Sequence, residues 1–242
     1  MSQHLLYGRN PVHEALRARR RRVHRIWATT GAAKEPWLQS ERVQPATAAE
    51  LEARAGSPDH QGVVAQVDPY PYADLAELLA TADPLLVALD EVQDPQNLGA
   101  ICRTAEAAGA TGLLLPERRA AHVTAAVAKA SAGAVEHLPI AVVRNLSDAL
   151  GEARDHGCWI YGAAAGARTQ YDKVDWRGGV VIVMGAEGRG LRPRVASTCD
   201  DLVSLPLRGR IESLNVSATA AVLLYAAVQG RTQEFDTGRK AP

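Results

Sequence analysis

The chain has 242 residues, 47% of them hydrophobic and 22% charged, and its 27 Lys plus Arg balance its 27 Asp plus Glu. That length holds one large domain or two smaller ones, and the composition is that of a globular protein rather than a disordered or fibrous one. A net charge near zero excludes whole-molecule attraction to nucleic acid and leaves that role to a local patch. Cys102, Cys158 and Cys199 are odd in number and lack CxxC spacing, which argues against a disulfide framework or a zinc site and for a reducing compartment. No charged n-region with an apolar core opens the chain, and no apolar run reaches the roughly 18 residues of a membrane span. The expected location is the cytoplasm.

Taken in chain order, Val12–Ala18 reads as a helix, Val23–Thr29 as a strand, Ala46–Ala55 as a helix and Gln61–Val67 as a strand, so residues 1–68 form a small α/β unit. Arg17, Arg19, Arg20, Arg21, Arg22 and Arg25 make it locally basic. The cluster is a solvated helix end, where the helix dipole favours cations, or a patch for RNA phosphates. Residues 69–83, "PYPYADLAELLATAD" with its Asp-Pro flanks, read as a linker holding a short helix. From residue 84 onward strands alternate with helices. The strands are 85–92, 112–117, 135–143, 159–165, 179–185 and 202–207; the helices are 97–109, 124–133, 147–157 and 217–230. Short, wholly apolar strands between helices predict a parallel sheet covered on both faces. The last helix is apolar nearly all round, so it is expected in the core or at a subunit interface. The tail from Gln233 is polar and expected to fray.

In such a sheet, ligands sit outside the carboxyl ends of the strands, and three strand-end loops carry polar groups. In the first, Asp90 to Gly109, Asn97 and Arg103 lie on or near the following helix. The G-x-G-x-x-G spacing of a dinucleotide site is absent from it. Taken alone, Asn97 reads as a helix-start amide and Arg103 as a surface residue or salt-bridge partner. The second, Val183 to Pro193, has glycines that permit close backbone approach. Its Glu187 disfavours a phosphate and favours an uncharged or cationic ligand. In the third, Leu205 to Ser217, backbone groups of Leu205, Pro206 and Leu207 lie beside an apolar wall. Ser213 and Asn215 point the same way if the segment is extended, and Ser217 is left to cap the last helix.

Together "DPQNLGAICRTAEAAG", "VMGAEGRGL" and "SLNVSATAAVLLY", in that order at successive strand ends, resemble the three motifs of the SpoU (TrmH-like) RNA ribose 2′-O-methyltransferases of the SPOUT superfamily, over roughly residues 85–230. "YGRNPVHEAL" and "HQGVVAQV" resemble the small RNA-binding domain of the 23S rRNA guanosine 2′-O-methyltransferase branch. The resemblance implies an α/β methyltransferase domain, residues 84–242, with a parallel sheet and a C-terminal trefoil knot, preceded by a small α/β RNA-binding domain. It implies S-adenosylmethionine (AdoMet) as methyl donor, contacted at Gly185, Leu205 and Leu214, with no metal. It implies Asn97, Arg103, Glu187, Ser213 and Asn215 as the polar active-site residues, with Glu187 holding Arg103 by an ion pair. It further implies a homodimer packed through the last helix and transfer of methyl to a ribose 2′-hydroxyl of 23S rRNA, with tRNA as the alternative substrate. From other classes, a nucleotide-dependent oxidoreductase is disfavoured by the missing glycine fingerprint, and a non-catalytic RNA-binding scaffold by the intact Arg103, Ser213 and Asn215. The seven histidines receive no role, and Cys102 reads as a small buried apolar residue.

Overall fold

A computed structural model describes residues 4–211 and 213–232; the polar tail from Gln233 lies outside the described residues. In chain order the elements are β1 (His4–Tyr7), α1 (Arg9–Ala18), β2 (Val23–Ala28), β3 (Val43–Pro45), α2 (Ala48–Ala55), β4 (Val63–Val67), α3 (Leu75–Leu79), β5 (Leu85–Leu89), α4 (Pro95–Ala107), β6 (Gly112–Pro116) and α5 (Ala125–Ala130). There follow β7 (Ile140–Val143), α6 (Leu146–Asp155), β8 (Trp159–Ala163), β9 (Thr169–Gln170), β10 (Val180–Met184), α7 (Pro193–Ala196), β11 (Asp201–Ser204) and α8 (Val216–Thr232). They pack into two compact units.

The first unit is built around a four-stranded sheet of order β1-β4-β2-β3, antiparallel except for the β2–β3 pair. β4 is apolar at four of its five positions and buried at all four, as its place between β1 and β2 demands. α2 starts where Thr47 and Glu50 satisfy each other's backbone N–H groups, and it stops at Gly56, whose φ of 64° a glycine adopts without strain. Its Leu51 packs on Trp27 and Val64, and Arg54 lies 4.5 Å from the Trp27 ring centroid.

The described part of Met1–Pro71 packs with Val123–His137, whereas the sequence places that later stretch beyond residue 84. The physical reason is polar as well as apolar. The Tyr70 hydroxyl donates to the Val135 carbonyl at 3.2 Å, the His137 ring meets Glu14 at 2.7 Å, and Arg21 pairs with Glu136 through Nε–Oε2 at 2.9 Å and through a second, Nη2–Oε1 contact. Arg21 therefore departs from its reading as part of a solvated or phosphate-binding run: its side chain is 6% exposed and that of Glu136 1%. Burial pushes the Glu14 carboxyl up, but hydrogen bonds from His137 and Arg17 outweigh it and hold the group below the usual carboxylate range.

The second unit is a seven-stranded sheet of order β7-β6-β5-β10-β8-β11-β9, with every pairing parallel. Every residue of β5, β6 and β10 is buried, which is why these strands read as unbroken apolar runs rather than alternating ones. α8 packs against α4 and β10. It buries Val216, Ala220, Leu223, Leu224 and Ala227 and leaves Val222 and Tyr225 exposed. Part of its apolar circumference is thus left uncovered within one chain. Among the described residues, no helix is long and apolar enough to cross a membrane.

Removing one partner of a buried ion pair leaves the other charge uncompensated, at a cost of about 3–5 kcal/mol. Arg21→Ala is therefore expected to lose that much in urea unfolding, while an Arg21→Met/Glu136→Leu double variant recovers most of it. Equal stability of Arg21→Ala and wild type would show that the pair does not hold Val123–His137 in place.

Candidate active site

The site forms where β5 and β10 end side by side. Asp90, the first polar residue after five apolar ones, is fully buried, and its N–H donates to the Met184 carbonyl at 2.7 Å. A buried carboxylate needs paired donors. Arg192 supplies them through its backbone N–H at 2.8 Å and its Nε at 2.7 Å, with Nη2 also 2.7 Å from Oδ1. This pair ties the loop after β5 to the loop after β10. Asp94 then caps α4 by accepting from the Gln96 N–H at 3.0 Å, with Pro95 in the first helical turn. Asn97 is thereby not the helix-start amide that it resembles in isolation. It lies inside α4 and is 7% exposed.

After β10 the chain makes a tight turn in which Ala186 and Gly190 exchange N–H···O bonds of 3.1 and 2.9 Å. A Cβ on Gly185 would stand 2.2 Å from the Gly190 carbonyl carbon, so only glycine fits there. The turn carries Glu187 outward, where its Oε1 accepts from Asn97 Nδ2 at 3.1 Å and from Asn215 Nδ2 at 2.7 Å. The Asn215 Nδ2 also donates to Asn97 Oδ1 at 2.9 Å. The other end of that amide is fixed as well. Asn215 Oδ1 accepts from the Ser217 N–H at 2.8 Å and from its hydroxyl at 2.6 Å, and the Asn215 carbonyl accepts from the Thr219 N–H at 3.0 Å. Asn215, not Ser217, is the cap of α8. One amide both caps a helix and joins the polar cluster, and Ser217 sets which way it faces.

Beside this cluster lies a cavity of about 890 Å³, large for a ligand site. Its walls come from the ends of β8 and β11, from residues 184–191, and from Leu205, Leu207, Ser213, Leu214, Asn215, Val216 and Thr219. Gly185, Leu205 and Leu214 all line it. Residues 205–211 and 213–215 form neither helix nor strand, so β11 ends at Ser204 instead of running on to 207. Ser213 is exposed on the cavity wall without joining the cluster.

Arg103 stands apart. It is exposed, six residues beyond Asn97 on α4 and thus about 120° around the helix from it. It makes no ion pair among the described residues. The expected Glu187–Arg103 pair is not formed, because it is Asn97, on another face of α4, that reaches that carboxylate. Asp90, Arg192 and the orienting role of Ser217 escaped the sequence reading. An acidic residue directly after five apolar ones was the available signal for Asp90, obscured by reading the strand on to residue 92.

The SpoU rRNA methylase family matches residues 84–225, and the RNA 2′-O ribose methyltransferase substrate-binding family matches residues 5–73. This chain belongs to the SpoU rRNA methylase family. It is 40% identical to an uncharacterized tRNA/rRNA methyltransferase of Synechocystis sp. over 94% of its length, and it spans 62% of that protein. It is 38% identical to the 23S rRNA (guanosine-2′-O-)-methyltransferase RlmB of Pseudomonas putida, covering 93% of this chain and 96% of that one. The SpoU methyltransferase AviRb of Streptomyces viridochromogenes, crystallised with AdoMet, superposes with a TM-score of 0.80 at 26% identity, over 97% of this chain and 91% of AviRb.

SpoU methylases use AdoMet, and the cavity fits it. Leucine and alanine side chains suit an adenine face, backbone of the 185–191 turn lines the wall, and Glu187 is a carboxylate suited to a sulfonium cation. Cys102, Cys158 and Cys199 do not line the cavity, and burial pushes all three thiols up, Cys102 and Cys199 to about 12. Gly185→Ala is expected to displace the 186–190 turn and weaken AdoMet binding at least about tenfold, or 1.4 kcal/mol, by titration calorimetry with an unchanged circular dichroism spectrum. Wild-type affinity in that variant would show that AdoMet does not use this turn.

Proposed function

We propose that this protein transfers the methyl group of AdoMet to a ribose 2′-hydroxyl of RNA, with a guanosine of 23S rRNA as target. The observation that carries the reading is the meeting of Asn97, Glu187 and Asn215, from three separate stretches of chain, on the edge of a cavity lined by backbone and apolar groups. AdoMet, when bound, supplies an electrophilic methyl group. The chain's own residues then have to hold a ribose oxygen in line with it, a matter of placement in which an error of about 1 Å costs roughly 10²-fold in rate. Asn97 and Asn215 are held rigidly enough for that task, because every amide atom but one N–H has a partner inside the protein. Glu187 keeps Oε2 without a protein donor among the described residues, leaving it to accept from substrate. Gly185, Leu205 and Leu214 hold the cofactor, and Ser213 on the same wall meets the ribose.

Arg103 is the cation in this scheme. A guanidinium hardly deprotonates, so its role is to stabilise the developing alkoxide by a charge-assisted hydrogen bond rather than to act as base. Its freedom within one chain supports assembly as a homodimer, in which the exposed Val222 and Tyr225 of α8 are covered by a second copy. The insertion of β10 between β5 and β8, followed by the return of residues 213–216 to the 185–191 turn, supports the trefoil knot. Residues 1–68 dock the RNA, and the protein works in the cytoplasm, where that RNA is.

Asn215→Ala and Arg103→Ala are each expected to lower kcat for methyl transfer by roughly 10²–10³-fold while AdoMet affinity changes little for Arg103→Ala. Retained turnover in Arg103→Ala would remove it from the reaction. Mapping of 2′-O-methyl groups in 23S rRNA, 16S rRNA and tRNA, with and without the gene, tests the substrate. One 23S guanosine losing its methyl is the expected result, and a change confined to tRNA overturns the rRNA assignment.

A further inference from the structure

A second concave surface lies on the same edge of the parallel sheet, away from the cavity described above. It is about 650 Å³ and is lined by the chain that leaves β6, by the turn between β7 and α6, and by the chain around α7. Five arginines line it: Arg118, Arg119, Arg144, Arg192 and Arg194. The acidic groups that face them are Asp148, which pairs with Arg194 at 3.2 Å, and Asp90 and Glu91, which pair with Arg192, Glu91 also accepting from Arg119 at 3.3 Å. Arg118 and Arg144 are exposed and have no anionic partner among the described residues. The positive end of the ten-residue helix α6 opens on the same cleft, with Asn145 as its cap.

Guanidinium groups gathered on one concave wall repel one another unless an anion lies between them, and their planar forks match phosphate oxygens. The cleft is also linked covalently to the first site. Leu191 lines the cavity and the next residue, Arg192, lines the cleft. β6 and β10 are two strand spacings apart in the sheet, roughly 10 Å. Glu91 and Arg119, which pair across the loops after β5 and β6, both hold φ of 60°, a left-handed conformation that side chains adopt where the surrounding structure enforces it.

We infer that this arginine cleft binds backbone phosphates of the RNA strand next to the target nucleotide, with Arg118 and Arg144 as the principal contacts. The inference rests on the methyltransferase reading for the identity of the polyanion, but it places the contact in the second unit, where the sequence had looked for a basic patch only among the arginines of the first. Phosphate contacts position a strand without reading its sequence. The cleft therefore sets where the RNA lies over the cavity and leaves choice of nucleotide to other groups.

The test is an Arg118→Ala/Arg144→Ala variant of the full chain, with filter binding to transcribed 23S rRNA from 50 to 300 mM KCl and AdoMet titration in parallel. Each phosphate contact adds about 0.7 to the slope of log K against log salt for single-stranded RNA. Loss of two contacts is expected to lower the slope by about 1.4 and to raise the RNA Kd roughly tenfold at 100 mM salt. The AdoMet Kd and kcat at saturating RNA are expected to stay at wild-type values. RNA affinity and slope equal to wild type overturn the cleft assignment, and so does a parallel loss of AdoMet binding. A wild-type protein that binds RNA through the cleft yet ignores AdoMet leaves the cleft standing and overturns the methyltransferase reading instead.

Discussion

A carboxylate oxygen that accepts two amide N–H groups fixes where a helix start and two loops must lie. Glu187 Oε1 does this for Asn97 and Asn215, whose own amides are bonded to each other. Hydrogen bonds of this kind contribute about 0.5–1.5 kcal/mol each to stability, somewhat more when one partner is charged. Their larger effect is geometric. The 213–216 segment, which has no secondary structure before Val216, is anchored at one point by an asparagine that also starts a helix. Without that anchor, the wall formed by Leu205, Leu207 and Leu214 would have no fixed distance from Gly185.

The sheet below makes the anchor possible. β10 lies between β5 and β8, so the loops that leave β5 and β10 are neighbours although about ninety residues of chain separate them. Asp90 and Arg192 lock that neighbourhood, since the Asp90 carboxylate is fully buried and its loss of the arginine would leave it unpaired there. Asn97 reaches Glu187 because Asp94 and Pro95 begin α4 two residues earlier and aim its first turn at the turn after β10. The polar cluster is thus the last layer of a hierarchy: apolar strands, a paired buried carboxylate, two capped helices, then three side chains.

How much of this was legible in the sequence depends on the range of the interaction. Buried parallel strands announce themselves as apolar runs, so β5, β6 and β10 appeared within a few residues of their true ends. β1, β3 and β9 are at most four residues long and carry too little pattern to stand out. The resemblance carried Asn97, Glu187 and Asn215 to one site, and the structure joins them directly. It carried Arg103 there too, yet within one chain Arg103 faces solvent. The face of α4 that meets Glu187 carries Asn97, and Arg103 lies about 120° around the helix from it, a placement that depends on how α4 packs rather than on local pattern. Asn215 shows the converse: the sequence pattern leaves the cap to Ser217, yet one asparagine side chain both caps α8 and joins the cluster. Val123–His137 joined the first unit through Arg21, Glu14 and Tyr70, contacts that span more than sixty residues and leave no mark on local periodicity.

The central claim is that the turn after β10 and the approach to α8, held together through Glu187, enclose the methyl donor. A crystal structure of the protein with AdoMet measures this most directly. The account predicts density for AdoMet in the cavity bounded by residues 185–191, Leu205, Leu207 and 213–216, with Asn97, Glu187 and Asn215 still within hydrogen-bond distance of one another. AdoMet bound elsewhere, or those three side chains drawn apart in the complex, would contradict it.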